Sequence, residues 1–480
     1  MKTIKLIFII TFAVIFQSCD KFLDIKPKGI QIPEFCDDFA RLLNHKNVMY
    51  SDNSYVCFIT DDIQLGGSSL QYGQFELASE NEKNLYSFES GPIFSSGTSD
   101  NLWEKSYNRI YTFNIVANNI LQCPDGTEAD KQRLAAEAKI GRAYEYLLLV
   151  NTYAKEYDAT TSKSDLGVPI LLSEDINTKY IRNTVQEVYD QIFKDMNEAL
   201  PYLAETSSHP FRPTKQIGNA IMARIYLYMG DYDKAKTYAE SALKYKSTLT
   251  DMKLYSINPK ANGSGRIYDA VTKVVYPEAK DNTESIYARY GDGTLALSRN
   301  IYASEDLLNV YKQNLPNGAV DQRRALFFSD NSFTLYNVKT NFPGKSMWVP
   351  YLQFNFGFST PELYLIAAEC HARLHNPDKA LEYLNTLRDN RILNNVKLPK
   401  YSEQEVLKIV LDERRREFAF CGSMRLIDLK RLNHEEAFKK DIVHSDGTKT
   451  WTLPANDPRY ILPLPPKVIS QNPSIPLLKR

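Results

Sequence analysis

The sequence predicts a mainly α-helical fold in which antiparallel helix pairs alternate with long loop-rich segments. Two segments, beginning at Ala220 and at Leu363, share one pattern: an apolar helix rich in small residues, a tight turn, and Asp-Lys-Ala at the start of a second helix. The turn at 229–235 aligns with the turn at 374–380, 145 residues later. Small residues let two helices approach closely, which is typical of a tetratricopeptide-type helix pair. A third, weaker pair surrounds AAEAKIGRAYEYLLLVNTYA.

Residue patterns also mark where individual helices begin. Segments 184–187 and 402–405, TVQE and SEQE, place a hydroxyl three residues before a glutamate, which is the spacing of a capping box. Segment 360–362, Thr-Pro-Glu, predicts a helix with proline at its first position and an acid in its first turn. Segment 376–378, Asn-Pro-Asp, repeats that pattern.

The intervening segments have a different composition. Residues 48–100, 250–302 and 330–357 are rich in Ser, Gly, Asn and aromatic residues, which favours turns and irregular structure. Long irregular segments inside a compact protein are usually functional, so we expect a ligand site among these loops. The chain has 31 tyrosines and only 3 tryptophans, and a tyrosine ring serves helix packing and polyhydroxyl ligands equally well.

Composition excludes several classes of function. The 480 residues suffice for one large domain or two interleaved lobes, and 58 basic residues balance 58 acidic ones, so no basic field attracts nucleic acid. None of the GxSxG, HExxH, P-loop or GxGxxG motifs occurs. The adjacent acids at 61–62 and 435–436 do not indicate a glycosidase pair, because sequence neighbours on a strand point to opposite faces. We therefore predict a protein that is not an enzyme.

One cluster of charge has a structural interpretation. The segment ERRRE, residues 413–417, resembles an anion site because it holds three consecutive arginines. Helical ion pairs with neighbouring carboxylates, some of them buried, explain it better.

The amino terminus predicts export and a lipid anchor. Lys2 and Lys5 precede an apolar run of eleven residues, 6–16, whereas spanning a bilayer takes roughly 20 residues. This pattern is typical of a secretory signal, and Ser18 before Cys19 resembles a bacterial lipoprotein signal. We predict a signal peptide at 1–18, a lipid on Cys19 and a tether at 19–40. The alternative is an ordinary secreted protein with an unmodified Cys19.

The other cysteines predict neither a metal site nor a disulfide framework. Five remain after Cys19, an odd number, and no CxxC or Cys/His cluster has the spacing of a zinc site. We predict mainly buried thiols, with a disulfide between Cys36 and Cys57 as an open alternative. No metal and no cofactor are predicted.

Ordered sequence blocks resemble a known family over nearly the whole chain. They are SCDKFLDIKP, LWEKSYNRIYTFNIVANNI, AEAKIGRAYEYLLLVNTYA followed by GVPILL, STPELYLIAAECHARL, VLDERRREFAFCGSMRLIDLKRLN and RYILPLPPKVISQNPSI. In this order they resemble the SusD/RagB family of surface lipoproteins from Bacteroidota.

The resemblance implies an architecture and a role. It implies one SusD-like domain over 41–480, with tetratricopeptide-like helix pairs as a scaffold and an interleaved loop-rich lobe. The helical repeats would occupy about 101–155, 184–246 and 360–432, and the lobe about 48–100, 250–357 and 440–480. Such proteins sit at the cell surface on the outer membrane, bind an oligosaccharide, and close as a lid over a SusC-like TonB-dependent transporter.

The family's ligand site lies on the loop-rich lobe, which corresponds here to about 60–100 and 280–350. The aromatic platforms available in these regions are Tyr72, Phe75, Tyr86, Tyr287, Tyr290 and Trp348. The polar candidates beside them are Asn81, Arg289 and Asn300. Trp103 and Trp451 are predicted to be structural.

Two other functions remain open at this point. One is peptide binding by the same architecture. The other is a tetratricopeptide-like scaffold that only holds surface proteins together and has no affinity for small molecules.

Overall fold

Helices dominate the computed structural model, which confirms the predicted mainly α-helical class. The structure describes residues 33–65, 74–175, 180–258, 267–291, 302–329, 332–335, 338–341, 347–348 and 353–480. The α-helices in these ranges are α1 (Cys36–Leu43), α2 (Lys46–Met49), α3 (Gln74–Leu77), α4 (Glu80–Tyr86), α5 (Asn101–Asn119), α6 (Glu128–Tyr153), α7 (Val185–Ala199), α8 (Lys215–Met229), α9 (Tyr232–Tyr245), α10 (Glu305–Val310), α11 (Gln322–Phe327), α12 (Thr360–Arg373), α13 (Pro377–Asp389), α14 (Glu403–Glu417), α15 (Met424–Leu432) and α16 (Pro466–Gln471).

The strands are short and form small antiparallel sheets. They are β1 (Ile63–Gln64), β2 (Tyr255–Ile257), β3 (Ile267–Asp269), β4 (Ser285–Tyr287), β5 (Tyr302–Ala303), β6 (Val320–Asp321), β7 (Phe328–Ser329), β8 (Ser332–Leu335), β9 (Val338–Asn341), β10 (Met347–Trp348), β11 (Phe358–Ser359), β12 (Ile392–Leu393), β13 (Ile442–Ser445) and β14 (Thr450–Leu453). One sheet has four strands in the order β1-β5-β10-β7, and the others are two-stranded pairs: β11-β4, β12-β6, β13-β14, β2-β3 and β8-β9.

The scaffold is a series of packed helix pairs. Helix α6 packs between α5 and α7, α8 packs on α9, and α12 packs on both α9 and α13. The turn after α8 has the predicted form: Gly230 adopts a left-handed φ of 76°, and Asp231 caps α9 by accepting the backbone N–H of Lys234. The corresponding turn before α13 has His375 at a φ of 57° and Asn376 as the cap. The two similar segments therefore do form equivalent helix pairs.

Both predicted capping boxes are present at the starts of α7 and α14, where Thr184 and Ser402 pair with the glutamates three residues later. Helix α12 begins one residue earlier than predicted. Ser359 is the N-cap, because it keeps the extended backbone of β11, so Pro361 occupies the second helical position and not the first.

The arginine cluster of α14 lies in the interior, as predicted. Glu413 is fully buried and accepts hydrogen bonds from Arg323 at 2.5 Å, Arg416 at 2.7 Å and Arg388 at 2.9 Å. These contacts join α14 to the β6–α11 segment and to the end of α13. A buried carboxylate among several guanidinium groups is a structural device that fixes the relative positions of its elements.

The neighbouring Arg415 points the other way and holds the loop at 60–62. Its Nε donates to Asp62 at 2.7 Å, while Arg425 of α15 donates to Asp61 at 2.8 Å. The adjacent acids at 61–62 therefore fix an early loop to late helices.

Glu369 of α12 gives this protein an acid-sensitive contact. Burial opposes ionisation of Glu369, but the guanidinium groups of Arg431 and Arg373, at 2.5 Å and 2.9 Å, outweigh burial and lower its pKa to about 2. A carboxyl whose pKa is lower in the folded state stabilises the fold above its unfolded pKa, near pH 4.5, and loses that contribution as the pH falls towards 2.

We expect the Glu369→Gln variant to be less stable than the wild type at neutral pH by about 3 kcal/mol. This gap narrows as the pH falls below about 4.5, since the wild-type carboxyl then becomes protonated on unfolding. Urea unfolding of both proteins across this pH range measures the gap. A gap that stays constant with pH would contradict the assignment.

Candidate functional site

Three residues predicted as ligand contacts belong to the core: Tyr86, which is 1% exposed, Tyr287 and Arg289. Tyr287 and Arg289 expose 0% and 1% of their surface. The guanidinium of Arg289 lies 4.0 Å from the centre of the Tyr287 ring and also donates to its hydroxyl. A ring without accessible surface offers no stacking face, so none of these three residues is proposed as a ligand contact.

Tyr86 and Phe75 join an early loop to the β13–β14 hairpin. The ring of Tyr86 is buried and stacks on His444 at 4.0 Å, and its hydroxyl accepts the N–H of Leu65 and donates to the carbonyl of Ser445, each at 3.0 Å. Phe75 is half-buried against Trp451, with ring centres 5.0 Å apart. Trp451 is thus structural, as predicted. Trp103 is 6% exposed in the core and confirms the same prediction.

Tyr72, Asn300, the side chain of Trp348 and Cys19 lie outside the described residues. The backbone of Trp348 belongs to β10, where it pairs with Phe328. These four predictions therefore stay predictions.

Tyr290 lies beside the segment 50–55, which belongs to the early loop-rich region but precedes the stretch 60–100 where the ligand contacts were expected. Its backbone N–H donates to the carbonyl of Met49 at 3.1 Å, and Ser51 donates back to the Tyr290 carbonyl at 2.9 Å. The rings of Tyr50 and Tyr290 meet edge to face, 6.2 Å apart. The structure in this way brings the late loop against the segment 50–55.

A cavity of about 330 Å³, here called the Tyr50 cavity, opens at this junction. Its lining combines aromatic and polar side chains: Tyr50, Asp52, Ser54, Tyr55, Phe58, Glu82, Asn101 and Lys105. Asn81, a predicted candidate, directly precedes Glu82 on α4 and is half-buried. Asn101 and Lys105 lie one turn apart on α5, and both are exposed.

The Tyr55 ring is held in place by a buried carboxylate. Asp100, fully buried as the N-cap of α5, accepts the hydroxyls of Tyr55 and Tyr153 at 2.5 Å each and the N–H of Leu102 at 2.9 Å. Burial raises the pKa of Asp100, although the hydroxyls of Tyr153 and Tyr55 oppose this rise. Phe94 packs edge to face against the other side of the Tyr55 ring, at 5.9 Å.

The wall formed by Tyr50 and Asp52 is held by contacts outside the cavity. Asp52 accepts the N–H of Ser54 at 2.9 Å, which turns the chain into the 3₁₀ helix that follows. Gly291 allows the late loop to approach, because a Cβ there would lie 2.9 Å from the Cβ of Asp52. The carbonyl of Tyr50 accepts Arg109 at 2.8 Å, and Arg109 forms a buried pair with Glu145 at 2.7 Å. The cavity is therefore preformed on rigid supports.

The chemistry of the lining suits a polyhydroxyl ligand. Tyrosine rings present flat apolar faces, which match the CH groups on one face of a sugar ring. Carboxylates accept hydrogen bonds from hydroxyl groups, an ammonium donates to them, and an amide does both. A concave site with aromatic walls and a few converging polar groups is the usual form of a small-ligand site.

A second concave surface runs along the outer face of α5. It comprises two adjoining hollows of about 260 and 530 Å³ that share Tyr107, Asn108, Leu171 and Tyr180, and its wider part also holds Tyr111, which is 42% exposed. Apolar atoms form a larger share of this surface than of the Tyr50 cavity, so it matches the hydroxyl groups of a glycan less well.

Two family models match successive parts of the chain. The SusD-like model described as "Starch-binding associating with outer membrane" matches residues 21–227, and the SusD family model matches residues 360–476. The first match includes every residue that lines the Tyr50 cavity. Together the two matches span about two thirds of the chain.

Known proteins resemble the chain over nearly its full length. SusD-like protein P2 of Formosa agariphila is 24% identical across 98% of each chain. A SusD superfamily protein from Bacteroides thetaiotaomicron has a TM-score of 0.68 at 22% identity, covering 93% of this chain and all of its own. A laminarin binding SusD-like protein has a TM-score of 0.60 at 17% identity, covering 92% and 98%. The two SusD family models, which together match about two thirds of the chain, identify it as SusD/RagB-like.

Proposed function

We propose that this protein captures oligosaccharides at the cell surface and binds them in the Tyr50 cavity. The observation that carries the proposal is the preformed lining, which sets Tyr50 and Tyr55 beside Asp52, Glu82, Asn101 and Lys105. Family membership supports it, because SusD-like proteins bind carbohydrate, and one structural neighbour is named for binding laminarin. Binding and release, with no bond broken, is the proposed activity.

The proposal includes delivery to a transporter. The captured glycan passes to a SusC-like TonB-dependent transporter in the outer membrane, over which the protein closes as a lid. The family's association with the outer membrane supports this arrangement. Lid motions of this kind occur on microsecond to millisecond timescales and often limit turnover.

The proposed attachment to the membrane is through lipid on Cys19. Within the described ranges, every helix is too short or too polar to cross a bilayer. Several acyl chains on one residue anchor a protein stably, since each buried CH₂ contributes about 0.8 kcal/mol.

We expect the Cys19→Ala variant to leave the membrane fraction of cells that retain the wild type. The matched control is Cys421→Ala, which removes a cysteine far from the amino terminus and should stay with the membrane. Fractionation followed by immunodetection measures both. Retention of the Cys19 variant on the membrane would contradict lipid anchoring there.

The function is tested by calorimetric titration of the chain that begins after Cys19. Plant, algal and host oligosaccharides, laminarin fragments among them, are titrated in parallel with a mixture of peptides. We expect saturable binding of one class of glycan. Binding of peptides and of no glycan would contradict it and favour the peptide-binding alternative.

A further inference from the structure

Two cysteines far apart in sequence meet at the start of the described chain. Cys36 is the first residue of α1, and Cys123 follows the 3₁₀ turn that ends α5 (Ile120–Gln122). Their sulfur atoms, together with a carboxylate oxygen of Asp125, all lie within 4.8 Å of one another. Cys36 is half-buried and Cys123 is buried.

The backbone around these sulfurs is held in register. The N–H of Cys36 donates to Oδ1 of Asp125 at 2.7 Å, and the thiol of Cys123 donates to the carbonyl of Asp125 at 3.2 Å. Lys131 donates to the carbonyl of Cys123 at 2.6 Å. Gly126 has a φ of 80°, and a Cβ at this position would lie 2.6 Å from the sulfur of Cys36. The turn at 123–126 therefore leaves room for the Cys36 side chain beside Cys123.

The other described cysteines lie in different surroundings. The thiols of Cys57 and Cys421 each donate to a backbone carbonyl, of Gly422 and Asn355 respectively, at 3.4 Å. Cys370 is buried within α12. Cys57 packs in the large core cluster, whereas Cys36 packs with a separate cluster around Phe39 and Phe113. The alternative of a Cys36–Cys57 disulfide was therefore wrong, because the fold brings Cys36 to Cys123.

We propose that Cys36 and Cys123 are joined by a disulfide in the exported protein. The proposal rests on the export predicted from the amino terminus, since disulfides persist in oxidising compartments. The oxidant is a disulfide of a thiol oxidoreductase or of glutathione. One cysteine thiolate attacks it and releases one thiol, and the second thiolate then attacks the mixed disulfide and releases the other. Two electrons and the two cysteine protons pass to the oxidant, whose sulfurs leave as two thiols.

The order of events follows from the surroundings of Cys36. Burial and the hydrogen bond with the Cys123 thiol raise the pKa of Cys36 to about 11, so Cys36 holds little thiolate at neutral pH once α1 is docked. Thiolate is the reactive form, so Cys36 attacks a disulfide more readily before α1 docks and buries it.

The bond would fix α1 to the α5–α6 turn. Only sixteen residues lie between Cys19 and Cys36, so the disulfide sets where the predicted lipid tether leaves the body of the protein.

A thiol count tests the proposal. The chain beginning after Cys19 holds five cysteines. It is equilibrated in a mixture of oxidised and reduced glutathione, denatured and alkylated, and its mass is then measured by mass spectrometry. The expected result is three alkylated cysteines, a Cys36–Cys123 linked peptide in a non-reducing digest, and five alkylated cysteines after reduction. Five alkylated cysteines without reduction, or a link between other cysteines, would overturn it.

Variants distinguish the disulfide from a metal site. Reductant should lower the melting temperature of the wild type by several degrees and leave that of Cys36→Ser unchanged. The control Cys421→Ser should keep the link and the sensitivity to reductant. A pair that stays reduced in the glutathione mixture and binds one equivalent of zinc, lost in Cys36→Ser, would also overturn the proposal.

Discussion

Replacing Glu413 with glutamine is expected to lower the free energy of unfolding by roughly 3–5 kcal/mol. Glu413 is fully buried, and its carboxylate is the acidic partner of Arg388 and Arg416 and one of three for Arg323. Glutamine keeps the shape of the side chain and removes its charge. Buried guanidinium groups are then left uncompensated, which costs more than the loss of an exposed pair.

The matched control for this change is Glu403→Gln at the other end of the same helix. Glu403 is about half exposed, and its ion-pair partner, His375, is largely in solvent. Exposed pairs of this kind contribute about 0–1 kcal/mol, so the control should unfold close to the wild type. Urea denaturation followed by circular dichroism measures both. If both variants lost the same free energy of unfolding, the buried network would not be what holds α14 in place.

The Tyr55→Ala variant is expected to weaken glycan binding by roughly 10- to 100-fold, or about 1.4–2.8 kcal/mol. Tyr55 forms one wall of the Tyr50 cavity, and its ring is held by Asp100 and Phe94. Alanine removes the flat ring on which a sugar would stack, so only the polar side chains of the cavity remain to bind the ligand. Titration with the glycan that binds the wild type measures the loss.

Two further variants separate this role from a general loss of structure. Tyr55→Phe keeps the ring and removes the hydroxyl bond to Asp100, so it should lower stability more than it weakens binding. Tyr111→Ala removes an exposed ring from the second concave surface on α5 and should leave affinity unchanged. If Tyr111→Ala weakened glycan binding and Tyr55→Ala did not, the binding site would lie on the second concave surface instead.

The helix pairs could be predicted because their determinants are local. Gly230 permits a left-handed turn, Asp231 and Asn376 cap the helices that follow, and small residues repeat along both helix pairs. Each of these effects acts within a few residues, so it is visible in the sequence.

The ligand surface could not be predicted in the same way. Tyr287 and Tyr290 are three residues apart in one segment, yet the first is fully buried and the second lies beside Tyr50. A tyrosine suits a core and a sugar site equally, and only the pairing of the late loop with the segment 50–55 decides between them. That contact joins residues about 240 positions apart, and no local pattern encodes it.

A crystal structure of the protein with the oligosaccharide that binds it most tightly would show whether the Tyr50 cavity is the ligand site. We predict a sugar ring against Tyr50 or Tyr55, with its hydroxyl groups hydrogen-bonded to polar side chains among Asp52, Glu82, Asn101 and Lys105. A sugar bound along the outer face of α5, or anywhere away from the Tyr50 cavity, would contradict it.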